Sequence, residues 1–121
     1  MSKYFSYYHS AISILNAFEG EIPFSIWLKK YFSAHKKYGS KDRKEISNLC
    51  FCFFRSGNLF QQFNLEEKII LSVYLCSNSK NNFIEILQPE LNKTIHLGVK
   101  EKLNVIQSKV SIQDLFKLKS Y

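Results

Sequence analysis

The chain has 121 residues, 45% hydrophobic and 16% aromatic, with 4 glycines, 2 prolines and a net charge of +7 from 17 basic and 10 acidic side chains. This composition excludes collagen-like, Pro/Gly-rich and disordered chains, and the length fits one domain with its own core, too short for most complete cofactor-dependent enzymes. The basic excess points to polyanionic partners, nucleic acid or an anionic membrane surface, and says nothing of fold.

Residues 4–19 place Phe5, Tyr8, Ile12, Leu15 and Phe18 at three- and four-residue steps, the spacing of a helix, and Gly20 follows as a stop. Pro23 suits the first turn of a second helix. On it Phe24, Trp27, Leu28, Tyr31 and Phe32 make an apolar stripe, with Lys29, Lys30, Lys36 and Lys37 mostly off it. Gly39 breaks the pattern, and Ser40 is the expected cap of a third helix, with Asp42 in its favourable first turn. Ile46, Leu49, Cys50, Phe53 and Phe54 keep helical steps, and residues 49–54 are apolar all round, the mark of a central, buried helix ending at Gly57.

Asn64 and Glu67 have capping-box spacing and open a fourth helix carrying Ile69, Ile70, Val73, Tyr74 and Cys76. A polar loop over 77–82, a short helix over about 82–88 stopped by Pro89, and a sixth helix over about 99–108 follow. Ser111 and Asp114 resemble a capping box for a last turn over 112–118. Strand is the alternative for LCFCFF and KIILSVYL, short apolar runs that periodicity alone does not settle; their capped, Lys/Glu-rich flanks favour helix. The expected fold is therefore all-α, one domain over residues 1–121 with about six helices. The closing IQDLFKLKSY has no stop signal; either the chain ends there or a longer protein continues.

The cysteines are odd in number, Cys50, Cys52 and Cys76. There is no secretory leader and no apolar run near the roughly 18 residues of a membrane span, so a reduced, cytoplasmic protein with free thiols and no membrane partner is expected. Cys50 and Cys52 lack the second pair or fixed-spacing histidine of a zinc site, and His9, His35 and His96 are scattered. The two thiols read as small apolar core residues, whose aromatic surroundings raise their pKa and oppose reactivity. Glu66–Glu67 and Glu19/Glu21 sit at helix ends, and no phosphate-binding or dinucleotide glycine motif is present. No catalytic residue, metal ligand or cofactor site is expected in this chain.

The strongest signal is KKYFSAHKKYGSKDRK over 29–44: seven Lys/Arg in sixteen residues against one acid. Residues 1–60 carry nine bases and four acids, and residues 61–121 carry eight and six, so the charge is concentrated in the first half. Lys29, Lys30, Lys36, Lys37, Lys41, Arg43 and Lys44 are the candidate phosphate contacts. Ser40 and the free N–H groups of its helix can hold one more phosphate. Tyr31, Phe32 and Tyr38 can stack on unpaired bases, although Tyr31 and Phe32 also fit the core stripe. The competing reading is a basic face that is merely solvated. Arg55 ends an apolar helix, where a cation suits the dipole, and either contacts RNA or pairs with an acid such as Asp42.

GEIPFSIWLKKYFSAHKKYGSKDRKEISNLCFCFFR resembles the N-terminal region of Fmu/Sun (RsmB-type) ribosomal RNA cytosine-C5 methyltransferases, in their Bacteroidetes-like form. In that family a basic loop leads to an Asp-Arg pair and then an apolar helix ending in Arg; Asp42, Arg43, Leu49 and Arg55 stand at those places. Cys52 stands where the family often has Gly. EEKIILSVYLCSN is similar to the family's next helix, and the likeness covers about residues 5–90. The Asp-Arg…Arg pattern is shared with the transcription antitermination factor NusB. The resemblance implies a NusB-like helical bundle that binds small-subunit ribosomal RNA. It implies that methyl transfer belongs to a separate C-terminal domain, which binds S-adenosylmethionine and carries the catalytic cysteines. Cys50 and Cys52 do not match those cysteines, so this chain alone is not expected to be an enzyme. The alternative is a helical protein-interaction module that holds the catalytic domain or a partner protein.

Overall fold

The computed structural model describes residues 2–108. Helix α1 spans Lys3–Ala17, with the Ser2 hydroxyl accepting from the Tyr4 N–H at 3.2 Å. Its buried residues, Tyr7, Ala11 and Ile14, recur at the i, i+4, i+7 spacing of one helical face. The helix stops three residues before Gly20, whose φ of +83° makes the turn toward α2, Phe24–Ala34. Pro23 lies just outside α2 and contributes its carbonyl, which accepts from the Trp27 N–H at 3.0 Å.

Helix α3 spans Ser40–Ser56. Gly39, not Ser40, is its N-cap residue; Ser40 is already helical. The Asp42 carboxylate supplies what a serine cap would not, by accepting from the Gly39 N–H at 3.2 Å. The helix ends at Gly57, whose φ of +55° an L side chain would adopt only under strain. Helix α4 spans Leu65–Cys76 and opens with the predicted reciprocal cap: the Glu67 N–H donates to Asn64 Oδ1 at 2.8 Å and the Asn64 N–H to Glu67 Oε1 at 3.0 Å. The α3–α4 connection buries Phe60 and Phe63.

Helix α5, Asn82–Leu87, is capped by Asn81, and helix α6 is the single turn Pro89–Asn92. The sequence reading ended a helix at Pro89; the same residue also starts the next, because its missing N–H is no loss in a first turn. Helix α7 spans Val99–Ser108. Seven helices and no strand are found among the described residues, so LCFCFF and KIILSVYL are helical and the chain is all-α. The predicted turn over 112–118 lies outside the described residues.

The most enclosed helix is α4, while α3 packs on both α1 and α4. Six consecutive α4 residues, Ile69 to Tyr74, are buried, and α3, α5 and α7 all pack on it. In α3, by contrast, Ile46, Leu49, Cys50 and Cys52 face the core while Phe51 and Phe53 are half-buried and Phe54 is 41% exposed. The α3 aromatics were expected to be enclosed. Instead Phe54 lies at the rim, 4.7 Å from the Phe24 ring and 6.0 Å from Phe18 between centroids.

Lys102 ties α7 to this centre. Its side chain is 1% exposed, and its ammonium donates to the backbone carbonyls of Tyr74, at 2.8 Å, and Ser77. These are carbonyls from the end of α4, which the helix itself leaves unbonded and where a cation also meets the negative end of the dipole. Burial holds the Lys102 ammonium below its ordinary pKa.

Candidate nucleic-acid interface

The basic segment occupies the second half of α2, the loop 35–39 and the start of α3. Lys29, Lys30, Lys36, Lys37, Lys41 and Lys44 are all exposed. Among the described residues the one ion pair joins Lys93 and Glu90, so none of the six is neutralised by a carboxylate. Lys37 lies over the Tyr38 ring, 5.2 Å from its centroid.

Arg43 differs from the lysines. It is half-buried; its Nε donates to the Tyr38 carbonyl at 3.0 Å, and its guanidinium lies 5.7 Å from the Phe32 ring centroid. Arg43 and Asp42 both tie the loop to the first turn of α3. The Tyr7 hydroxyl donates to Asp42 Oδ1 at 2.7 Å, and the Tyr38 hydroxyl donates to Ser10 Oγ at 3.1 Å, so α1 holds the loop directly at Tyr38 and, through Asp42 of α3, at Gly39. The Tyr7 bond first, and the Gly39 N–H second, keep the Asp42 carboxyl below its usual range, and the same bond pushes the Tyr7 phenol up to about 12. Arg55 is exposed at the far end of α3, about 20 Å from Asp42 at 1.5 Å per residue, too far to pair with it or to join the loop cluster.

Aromatic side chains on α2 lie in a file along the helix. Trp27 and Tyr31 lie 5.3 Å apart between centroids at an interplanar angle of 31°, and Tyr31 and His35 lie 3.9 Å apart at 14°. Tyr31 is half-buried, and that burial raises its pKa. In the sequence His35 stands out only as one of three scattered histidines. The signal that would have found it is the spacing Trp27, Tyr31, His35, every fourth position on one helix. On the outer side of α2, Ile26, Lys29, Lys30, Ser33 and Ala34 line a shallow depression of about 550 Å³.

The two buried thiols are chemically quiet. Burial pushes Cys50 up to about 12, and burial with the neighbouring Cys76 thiol does the same to Cys52. At neutral pH both are protonated and poor nucleophiles. Among the described residues no three of His, Cys, Asp and Glu converge where they would hold a metal ion, and no helix is long and apolar enough to cross a membrane.

Comparison with protein-family models, with curated proteins and with solved structures finds no match for this chain.

Proposed function

We propose that this chain is an RNA-binding domain that docks small-subunit ribosomal RNA through residues 29–44, for methylation at cytosine C5 by a separate S-adenosylmethionine-dependent domain of the same protein. The observation that carries the RNA-binding part is the set of six exposed lysines, unpaired with any carboxylate among the described residues, on the end of α2, the start of α3 and the loop between them, which α1 holds in place. Cations that were only solubilising the surface would gain nothing from a braced loop. The methyltransferase part, and a NusB-like arrangement of the helices, rest on the resemblance of GEIPF…CFFR. In this reading Lys29, Lys30, Lys36, Lys37, Lys41 and Lys44 neutralise phosphates, Asp42 and Arg43 shape the loop, and no residue of this chain performs the chemistry.

The test is a salt titration of binding to a small-subunit rRNA fragment. Six phosphate contacts give a slope of log K against log[salt] of about −4 to −5. Lys36→Ala/Lys37→Ala is expected to make that slope shallower by about 1 to 2. An unchanged slope removes those two lysines from the interface. A second reading, a helical protein-interaction module, draws on the exposed Phe54 and on Ile26, which is 51% exposed. It predicts binding to a partner protein through an apolar interface with little salt dependence, and no binding to RNA at low salt.

A further inference from the structure

The ring file on α2 runs toward the lysine loop and stops there. Residues four apart on a helix drift only about 40° around its axis, so Trp27, Tyr31 and His35 form a strip along one side. Phe24 starts the strip, 5.9 Å from Trp27 between centroids at 28°. His35, the C-cap residue of α2, ends it.

His35 is exposed, yet its ring is fixed twice. One face lies on Tyr31, and Nδ1 is 2.8 Å from the Tyr31 carbonyl oxygen, to which it donates in the matching tautomer. A surface side chain already held by a stack and a hydrogen bond has little rotamer freedom left to lose when something lands on it. Among the described residues Tyr31 is the one ring in contact with His35, so the outer face of the imidazole has no ring upon it. Lys36 and Lys37, both exposed, follow immediately in the chain. The next ring, Tyr38, does not extend the strip: it meets Phe32 edge-on at 5.5 Å and carries Lys37 over its face.

An open aromatic face beside two cations matches a ligand that repeats a π surface and a phosphate in each unit. We propose that the Phe24–Trp27–Tyr31–His35 file is a base-stacking platform: an unpaired nucleobase of single-stranded RNA seats on the outer face of His35, while the neighbouring phosphates contact Lys36 and Lys37. This inference rests on the RNA-binding reading above and names the part of the RNA that the site takes. A polyanion without bases uses the lysines but not the file.

The experiment compares two ligands of equal length and charge on the full chain: a single-stranded oligoribonucleotide carrying 2-aminopurine, and its abasic counterpart. Stacking quenches 2-aminopurine on binding and shifts the His35 ring protons upfield. His35→Ala is expected to weaken the base-bearing oligomer by at least about fivefold, with the abasic oligomer and the salt slope unchanged. His35→Phe, which keeps the ring face, restores the affinity. Circular dichroism of both variants excludes misfolding, and His35 is exposed enough for that to be a low hurdle. If both oligomers bind equally and His35→Ala alters neither, the platform is wrong while the lysine interface stands. If His35→Ala weakens both oligomers alike, the residue supports the loop and does not stack, which also overturns the proposal. If neither oligomer binds at low salt but polyglutamate does, the RNA reading itself fails in favour of a protein partner.

Discussion

Lys102→Ala is the sharpest probe of what holds the bundle together. The substitution removes three buried methylenes, worth about 2 kcal/mol at ~0.8 kcal/mol each. It also strips the Tyr74 and Ser77 carbonyls of a charged donor, a loss of about 1–3 kcal/mol. Against these, the cost of keeping an ammonium out of water disappears. The net expectation is destabilisation by about 2–4 kcal/mol, a large share of the stability of a small domain. Lys102→Met separates the contributions: it restores most of the packing and leaves the two carbonyls bare, so it should lie about 1–2 kcal/mol below wild type. Urea unfolding at pH 7, comparing midpoints at constant m, measures both. The pH dependence gives an independent sign. Because the folded-state pKa is lowered from 10.5, the unfolded chain binds more protons between the folded value and 10.5. The contribution of this lysine therefore becomes more favourable as pH rises through that window, and the gap between wild type and Lys102→Met widens. A Met variant as stable as wild type at pH 7 would refute the reasoning, since the hydrogen bonds to α4 would then contribute nothing beyond the cost of burial.

Three further outcomes are expected. Ser72 is 1% exposed and its hydroxyl has no partner, so Ser72→Ala should stabilise by about 1 kcal/mol, seen as a rise in Tm; a fall would mean the hydroxyl is satisfied. Burial raises the Cys50 thiol from 9.0 to about 12, so the folded chain keeps a proton that the unfolded chain loses: stability falls as pH climbs past 9, by about 2–3 kcal/mol at pH 11 from this group, and Cys50→Ala should flatten that decline. The Asp42 carboxyl, held below 3.8 chiefly by Tyr7, contributes stability that is present above 3.8 and lost as pH falls through its folded value; Tyr7→Phe should be less stable at pH 7, with the difference from wild type shrinking on acidification.

The sequence was most informative where a local rule applied. Asn64 and Glu67 announced the start of α4 because a capping box is complete within four residues, and the all-α class followed from repeated three- and four-residue steps. It was least informative where the answer depends on what packs on what. Residues 49–54 are the more apolar run on paper, since 69–74 includes Ser72. Only the tertiary arrangement decides that α4 is enclosed by α3, α5 and α7 while Phe54 of α3 stays at the rim. Lys102, between Glu101 and Leu103 in a charged helix, reads as a solvent residue; nothing local signals that it reaches the end of α4. The candidate interface was legible as a charge run, but its division of labour was not. Arg43 looks like Lys41 and Lys44 in a count of charges, and only its bond to Tyr38 sets it apart; Asp42 stands out as the one acid, but its bonds to Tyr7 and Gly39 do not show in the sequence.

The two tyrosine hydroxyls that clasp the loop give the first helix a role in thermodynamics remote from its place in the chain. A free five-residue connection between helices samples many conformations, and fixing each residue on contact with a ligand costs about 1–2 kcal/mol. With Tyr7 and Tyr38 holding it, most of that ordering is complete before any ligand arrives. A chain carrying Tyr7→Phe and Ser10→Ala keeps α2, α3 and every lysine of the cluster, and is still expected to bind more weakly, because the loss is one of readiness and not of contacts with the ligand.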